Sequence, residues 1–440
     1  MSNLKLTSNP KKRKLLLTKT NIMTKCTKLL LFSICSLLFA CHDAPKKIKS
    51  NSESNTHETI ATFDLESAID NCESQLETSV PKLTDLTKHP RLIETNEKEW
   101  KEVPNGRLVW TSGFYPGILW YMYDLTKDEK WKTEAIKRTE VFEDYKTITE
   151  HHDIGFMMFP AFGNGYKLGD KKEYKDILLT SAKSLVSRYN PKVGTIKSWS
   201  NKMHPRWQQH ITIIDNMLNL ELLFWAAKNG GDSELKDIAI KHAETTMKNH
   251  FRDDYTSWHV IEYDSITGSV LNHHTKQGYA DDSRWSRGQA WGIYGFSMVY
   301  RETGDKKFLD FAQKLSDRYL ELLPEDYVPY WDFDVPNLEK EERDASAAAV
   351  VASGLLELST FLEDTTQKQK YYNAALKMLS SLSSENYSGV GKANSFLLHS
   401  TGAKSLGSEI DVALIYADYY YIEALDRLKK IKSQKEVAQL

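Results

Sequence analysis

Six stretches of this chain are apolar on nearly every side and long enough to be helices: residues 110–124, 154–168, 211–228, 286–302, 345–361 and 409–426. A helix that is apolar all round has to be buried all round, so each needs a partner. The sequence supplies one. The first five stretches are each followed by a short polar turn and then an amphipathic, Lys/Glu-rich helix. The turns run TKDEKW from Thr126, LGDKKEY from Leu168, GGDSEL from Gly230, TGDKKF from Thr303 and EDTTQKQKYY from Glu363. A tight Gly/Asp turn between antiparallel helices makes an αα-hairpin. The sixth apolar stretch has only a short basic tail behind it, but residues 64–86 form an amphipathic helix ahead of the first. Six inner and six outer helices then close a ring of six hairpins, an all-α (α/α)6 barrel. Strand-like stretches are few, near 258–271 and 327–333.

A hairpin of this kind needs about 40 residues at 1.5 Å rise per residue, and the spacing between inner helices exceeds that. The largest surplus is residues 251–285, FRDDYTSWHVIEYDSITGSVLNHHTKQGYADDSRW. Loops of this length inside a compact domain are usually functional. Those that precede inner helices should gather at one end of the ring, over its central cavity.

Polar residues on the apolar stretches are the ones that need explaining. Within ITIIDNMLNLELLFWAA (211–227), Asp215 and Asn219 are four apart and share a helix face. A carboxylate there is either hydrogen-bonded to a neighbouring helix end or kept protonated as a general acid. Asp153, in HHDIGFMMFPAFGNGY, stands where a helix N-cap would, yet His151 and His152 beside it are more chemistry than a cap requires. In DDSRWSRGQAWGIYGF, Arg287 and Trp291 also share a face. A buried Arg needs an anion, either a sugar carboxylate stacked over the Trp or a neighbouring Asp. His259, Gln277, Trp110 and Trp199 are further candidates in the long loops. No stretch has HExxH or comparable metal-ligand spacing.

The N-terminus is a different kind of segment. The first forty residues hold eight Lys/Arg and no acid, and an apolar run from Leu29 to Ala40 ends at Cys41. That is too short for a comfortable membrane span, and Leu38-Phe39-Ala40-Cys41 resembles a lipobox, whose Cys is lipidated after export. The expected organisation is a signal peptide at 1–41, a polar tether at 42–62, the barrel at 63–430 and a polar tail at 431–440. Of the four Cys, three lie in the signal segment, leaving Cys72 with no internal disulfide partner. With 58 basic residues, eight of them in that segment, against 60 acidic ones, the remainder carries a formal charge of −10. Such a balance argues against nucleic acid as a partner. Eleven Trp and 22 Tyr suit either a large helical core or platforms for sugar rings.

WTSGFYPGILW (110–120), HHDIGF (151–156), IIDNMLNLELLFWA (213–226), QGYADDSRWSRGQAWGIYGF (277–296), RDASAAAVVASGLLEL (343–358) and EIDVALIYADYYYIEAL (409–425) together resemble the unsaturated glucuronyl hydrolases, glycoside hydrolase family 88. The resemblance runs in order over nearly the whole barrel. It implies the same fold and an enzyme that takes the 4,5-unsaturated uronic acid off the non-reducing end of oligosaccharides made by polysaccharide lyases. In that chemistry an Asp protonates C4, water adds at C5, and the hemiketal opens and expels the remaining sugar. By the resemblance Asp215 is the proton donor and Asp153 the assisting carboxylate. Trp110, His152, Asn219, His259, Gln277, Arg287 and Trp291 hold the uronate, and Trp199 is a platform for the next sugar. No cofactor or metal is implied. The partners expected are an anionic unsaturated oligosaccharide and, through Cys41, a membrane. The alternatives are an unsaturated rhamnogalacturonyl hydrolase and a non-catalytic sugar-binding lipoprotein of the same fold. Lys404, Ser405 and Ser408 are placed to meet a sulfate or to lie in a solvated loop.

Overall fold

The computed structural model describes residues 63–200 and 206–439, with side chains up to residue 434. The expected signal and tether segments, with Cys41, lie outside the described residues. Over the described part the chain alternates between an outer and an inner ring of helices. In chain order they are α1 (Leu65–Ser79, outer), α2 (Phe114–Thr126, inner), α3 (Glu129–Glu140, outer), and an inner helix in two pieces, α4 (Ile154–Met158) and α5 (Asn164–Leu168). There follow α6 (Lys175–Val186, outer), α7 (Asn216–Lys228, inner), α8 (Glu234–Asn249, outer), α9 (Ser286–Thr303, inner) and α10 (Lys306–Leu322, outer). The last turn of the ring is α11 (Ala345–Thr360, inner), α12 (Thr365–Leu382, outer) and α13 (Ile415–Gln439, inner). Helix α13 packs on α11 and on α2, which closes the ring, and α1 covers α13 as the sixth outer helix.

The polar turns work as their residues require. Lys127 and Gly304 end α2 and α9 in the left-handed region, at φ 58° and 68°. Asp128, Asp305 and Asp364 then cap α3, α10 and α12, their carboxylates accepting from backbone N–H groups of the first turn. The inner helices bury aromatic rings against one another: Phe114 meets Tyr416, Tyr419 and Tyr420 across the α2–α13 seam. Farther along the same helices, the buried Glu423 accepts from Tyr121 Oη (2.8 Å), Tyr294 Oη (3.0 Å) and Ser353 Oγ (2.6 Å), tying α13 to α2, α9 and α11.

Several inner helices begin later than their apolar stretches. Residues 211–213 are not helical: β5 (His210–Ile213) pairs antiparallel with β6 (Val260–Tyr263), which pairs with β7 (Val270–His274). The β-branched run Ile-Thr-Ile suits a strand buried on both faces, and apolar periodicity cannot separate that from the start of a buried helix. Asp215 is accordingly the N-cap of α7 rather than a residue of its interior. The sixth stretch likewise starts at residue 415, and residues 413–414 pair with the strand Lys88–Ile93. The expected strand at 327–333 is reduced to isolated bridges, Trp285 to Asp332 and Tyr330 to Arg343. The expected polar tail is a continuation of α13. Between α4 and α5 the chain makes a π turn, Phe159–Gly163, at Pro160, which has no N–H to give to the ladder.

Candidate active site

The segments that precede inner helices do gather at one end of the ring, around a cavity of about 210 Å³. Its wall takes Trp110 from before α2, Asp153 from before α4, Trp199 and Asp215 from before α7, Gln277 from before α9, and Glu409 from before α13. The long loop 251–285 contributes through the β6–β7 hairpin and the turn that follows it.

Asp153 and Asp215 both stand at N-cap positions, and neither caps its helix. Asp64, Asp128, Asp305, Asp344 and Asp364, by contrast, do cap theirs. Asp153 faces two imidazoles: Oδ2 lies 3.2 Å from His151 Nδ1 and Oδ1 lies 3.4 Å from His152 Nε2. Burial pushes its carboxyl up, but the two imidazoles and Lys276 outweigh burial and leave it below the usual carboxylate range.

Asp215 goes the other way. Burial, and then the charge on Asp153, push its carboxyl up to about 7, against the opposing pull of Arg287 and Lys276. Its Oδ2 is buried and has no hydrogen-bond partner among the described residues; His259 Nε2 is 3.9 Å away. The proton on His259 is placed by the backbone. Its Nδ1 receives the N–H groups of Lys276 (3.2 Å) and Gln277 (3.3 Å), so the neutral ring carries its hydrogen on Nε2, toward Asp215. Two carboxyl groups whose environments drive them apart, one ionised and one able to carry a proton near neutrality, are the pattern of an acid–base pair. An enzyme using them should lose kcat/KM about tenfold per pH unit above about 7, as Asp215 ionises. Below that it should hold its rate until Asp153 protonates. A pH–rate profile with a basic limb far from 7 would contradict this assignment.

Of the ten residues expected to act on substrate, Trp110, Asp153, Trp199, Asp215 and Gln277 line the cavity. The other five are buried behind its wall. His152 and Asn219 are fully buried beside Asp153, and His259 is 3% exposed. Trp291 is 1% exposed and packs on Phe156 and Tyr420, as a core aromatic does. Arg287, also 1% exposed, meets the neighbouring buried acid that its alternative reading required. Its NH1 is paired with Asp344 and donates to Thr401 O (2.7 Å), and its NH2 donates to Gly402 O (2.6 Å). The geometry corrects the expectation of an Arg287–Trp291 face open to the cavity: the guanidinium is already occupied, and it braces the 401–402 turn. Lys404, considered for a sulfate, is paired with Glu341 (2.6 Å) and Glu342, so its charge is already neutralised. Ser405 Oγ donates to Lys276 O (2.8 Å).

Sequence reasoning missed three wall residues. Arg91 donates through Nε to Glu409 Oε1 (2.8 Å) at the cavity edge, joining segments 318 residues apart that no local pattern connects. Glu409 sits at φ 53°, left-handed and costly for a residue with a Cβ. Lys276 holds its Nζ 4.4 Å over the Trp199 ring, which itself stacks on Trp207 at 5.0 Å. Its signal was present: it is adjacent to Gln277 in the longest loop. Among the described residues no group of three His, Cys, Asp or Glu side chains is arranged to hold a metal ion.

Comparison with known proteins adds a second line of evidence. No family model matches the chain. An unsaturated glucuronyl hydrolase of Formosa agariphila is 43% identical over 368 residues, covering 81% of this chain and 90% of that protein. The crystal structure of an unsaturated glucuronyl hydrolase specific for heparin superposes with a TM-score of 0.79 at 42% identity, covering 84% of this chain and 98% of that one. A mutant unsaturated glucuronyl hydrolase from Streptococcus agalactiae, complexed with dGlcA-GalNAc6S, matches with a TM-score of 0.70 at 31% identity over 83% of this chain and 91% of its own.

Proposed function

Because the chain belongs to the unsaturated glucuronyl hydrolase family, we propose that its two non-capping aspartates divide the hydration of a C4=C5 double bond between them. The activity itself is that of the family: a glycoside hydrolase acting on the unsaturated oligosaccharides that lyases produce. The observation that carries the division of labour is the opposite displacement of the two carboxyls at one cavity.

The double bond belongs to an enol ether, a weak base that needs a carboxylic acid still protonated near neutral pH. Asp215, pushed up to about 7, is such an acid. It gives its proton to C4, and positive charge develops at C5 and the ring oxygen. The ionised Asp153 stabilises that charge across the cavity. Water adds at C5 and returns a proton to Asp215, so the acid is regenerated. The C5 hemiketal then opens, the C1 hemiacetal collapses, and the next sugar leaves with its glycosidic oxygen. The separation of the two carboxylates therefore says nothing of retention or inversion, unlike in ordinary glycosidases.

Trp199, backed by its stack on Trp207, supplies a platform in the cavity wall, and Lys276 above Trp199 is a cation placed to meet the uronate carboxylate. A charge-assisted hydrogen bond contributes about 1.5–3 kcal/mol, so Lys276→Met should raise KM roughly tenfold or more with a smaller change in kcat. Steady-state kinetics on an unsaturated disaccharide checks this; an unchanged KM would take the carboxylate elsewhere. Incubation with a lyase digest, following the absorbance of the conjugated double bond, tests the activity.

Export is the remaining part of the reading. The basic, acid-free N-terminus and the lipobox-like Leu38–Cys41 support a lipid-anchored protein outside the cytoplasm. Cells producing the wild type should show it in the membrane fraction and Cys41→Ala should lose that fraction; a wild type recovered soluble with its N-terminus at His42 would overturn the anchor.

A further inference from the structure

Behind Asp153 lies a chain of buried groups that never reaches the cavity surface. Phe156 N–H donates to Asn219 Oδ1 at 2.9 Å. That bond settles which way the Asn219 amide points: its NH2 faces His152, with Nδ2 3.5 Å from Nδ1. An amide NH2 only donates, so this contact is made with His152 Nδ1 bare and the hydrogen on Nε2; the Asn216 side chain also faces the ring. Nε2 lies 3.4 Å from Asp153 Oδ1 and makes no hydrogen bond among the described residues, so its N–H acts on the carboxylate through its dipole. His152 N–H donates to Ser198 O (3.0 Å), which fixes the ring's origin as well. The arrangement requires close approach of two helices. A Cβ on Gly155 would lie 2.5 Å from both Asn219 Cα and Oδ1, so only glycine lets the amide reach Phe156 N.

Resting on the acid–base assignment above, we propose that Asn219 is a positioning residue that acts through His152, fixing the imidazole hydrogen on Nε2 and aiming it at Asp153 Oδ1. Burial brings His152 down to about 4, so the ring is neutral at working pH and its tautomer, not its charge, is what Asn219 controls. An N–H directed at a carboxylate favours the ionised form. Across the cavity the backbone N–H groups at His259 Nδ1 likewise leave its hydrogen on Nε2, but that atom is 3.9 Å from Asp215 and makes no hydrogen bond to it, so Asp215 is not held ionised in the same way.

Other charges also face Asp153 and set the background for its titration. They are His151 on its own loop, Arg188 after α6, Asp215 before α7, and Lys276 after β7. None of these is touched by a change at Asn219. In Asn219→Leu the imidazole is free to place its hydrogen on either nitrogen, and Asp153 loses part of its stabilised charge. The acidic limb of kcat/KM should move up by about one pH unit, a tenfold loss of rate on that limb, with KM little changed. His152→Phe should displace the limb in the same direction and at least as far, and adding Asn219→Leu to it should add nothing further. A purely structural Asn219 would lower stability and leave the limb in place.

The tautomer can be read directly, without turnover, from the nitrogen-15 shifts of His152 in the wild-type protein. The expected result is a protonated Nε2 and a bare Nδ1. A protonated Nδ1 overturns the relay, as does an acidic limb unmoved by Asn219→Leu or displaced further in the double variant. If Asn219→Leu does not fold, the wild-type shifts and His152→Phe decide alone. Failure of the acid–base assignment would show instead as an active Asp215→Asn enzyme, whatever the His152 tautomer.

Discussion

Asp215→Asn should lower turnover by about 100- to 10,000-fold, the usual contribution of a general acid, while the protein folds at least as well as the wild type. The amide has the volume of the protonated carboxyl and cannot deliver a proton to carbon. Stability should not suffer, because Asp215 does not cap α7 and its Oδ2 has no partner to lose. An uncharged side chain there also removes the cost of burying a charge and the repulsion with Asp153, which together raise Asp215 to about 7. Activity above a tenth of wild type would place the proton donor elsewhere, with Asp153 the next group to test. Thermal denaturation of the same preparation separates loss of chemistry from loss of fold.

Arg287→Ala should be the most damaging change to stability near the site, by about 3–5 kcal/mol, because it strands a buried charge. Asp344 is fully buried; besides Arg287 its carboxylate accepts only from Ser346 and Thr401. Removing the guanidinium also frees the Thr401 carbonyl and leaves that of Gly402 with Gln277 Nε2 alone, so the 401–409 wall should loosen and activity should fall with it. Arg287→Leu combined with Asp344→Asn should recover a large part of the stability. The pair is then absent, and the Asn still caps α11. Chemical denaturation of the two single variants and the double variant reads the coupling. A stable Arg287→Ala protein that has lost only activity would show the guanidinium acting on substrate, not on Asp344.

The barrel was legible because its signal is repeated. Six all-round apolar stretches, five of them followed by Gly/Asp turns and amphipathic helices, leave few arrangements other than a closed double ring. The helix starts were less legible, and they matter most. Residues 211–213 and 413–414 are apolar and buried whether extended or helical, so burial pattern alone carried them into the helices and moved Asp215 from a cap to an interior position. Its proximity to Asn219 survived because one turn separates them either way.

In the site, Asp153 and Asp215 could be found as polar residues where apolar ones belong. Arg287 could be found in the same way, but its partner could not: Asp344 reads as an ordinary helix cap, which it also is. Asn219 and His152 were legible as neighbours of the acids and not as their positioners, since tautomer control depends on the Phe156 N–H and on the close approach at Gly155. The Arg91–Glu409 pair was invisible for a simpler reason: Arg91 lies in a strand that the sequence did not signal, and Glu409 reads as the first residue of the sixth helix.

The central claim is that the enzyme attacks the double bond, with Asp215 as the acid, and that the glycosidic bond breaks only afterwards. An analogue of the unsaturated disaccharide with carbon in place of the glycosidic oxygen tests this most directly, because its link to the second sugar cannot be cleaved. The wild type should still erase the absorbance of the conjugated double bond, at a rate comparable to that on the natural disaccharide, and Asp215→Asn should not. A wild-type enzyme that leaves the analogue's absorbance unchanged while cleaving the natural disaccharide would contradict the account and place the first step at the anomeric carbon.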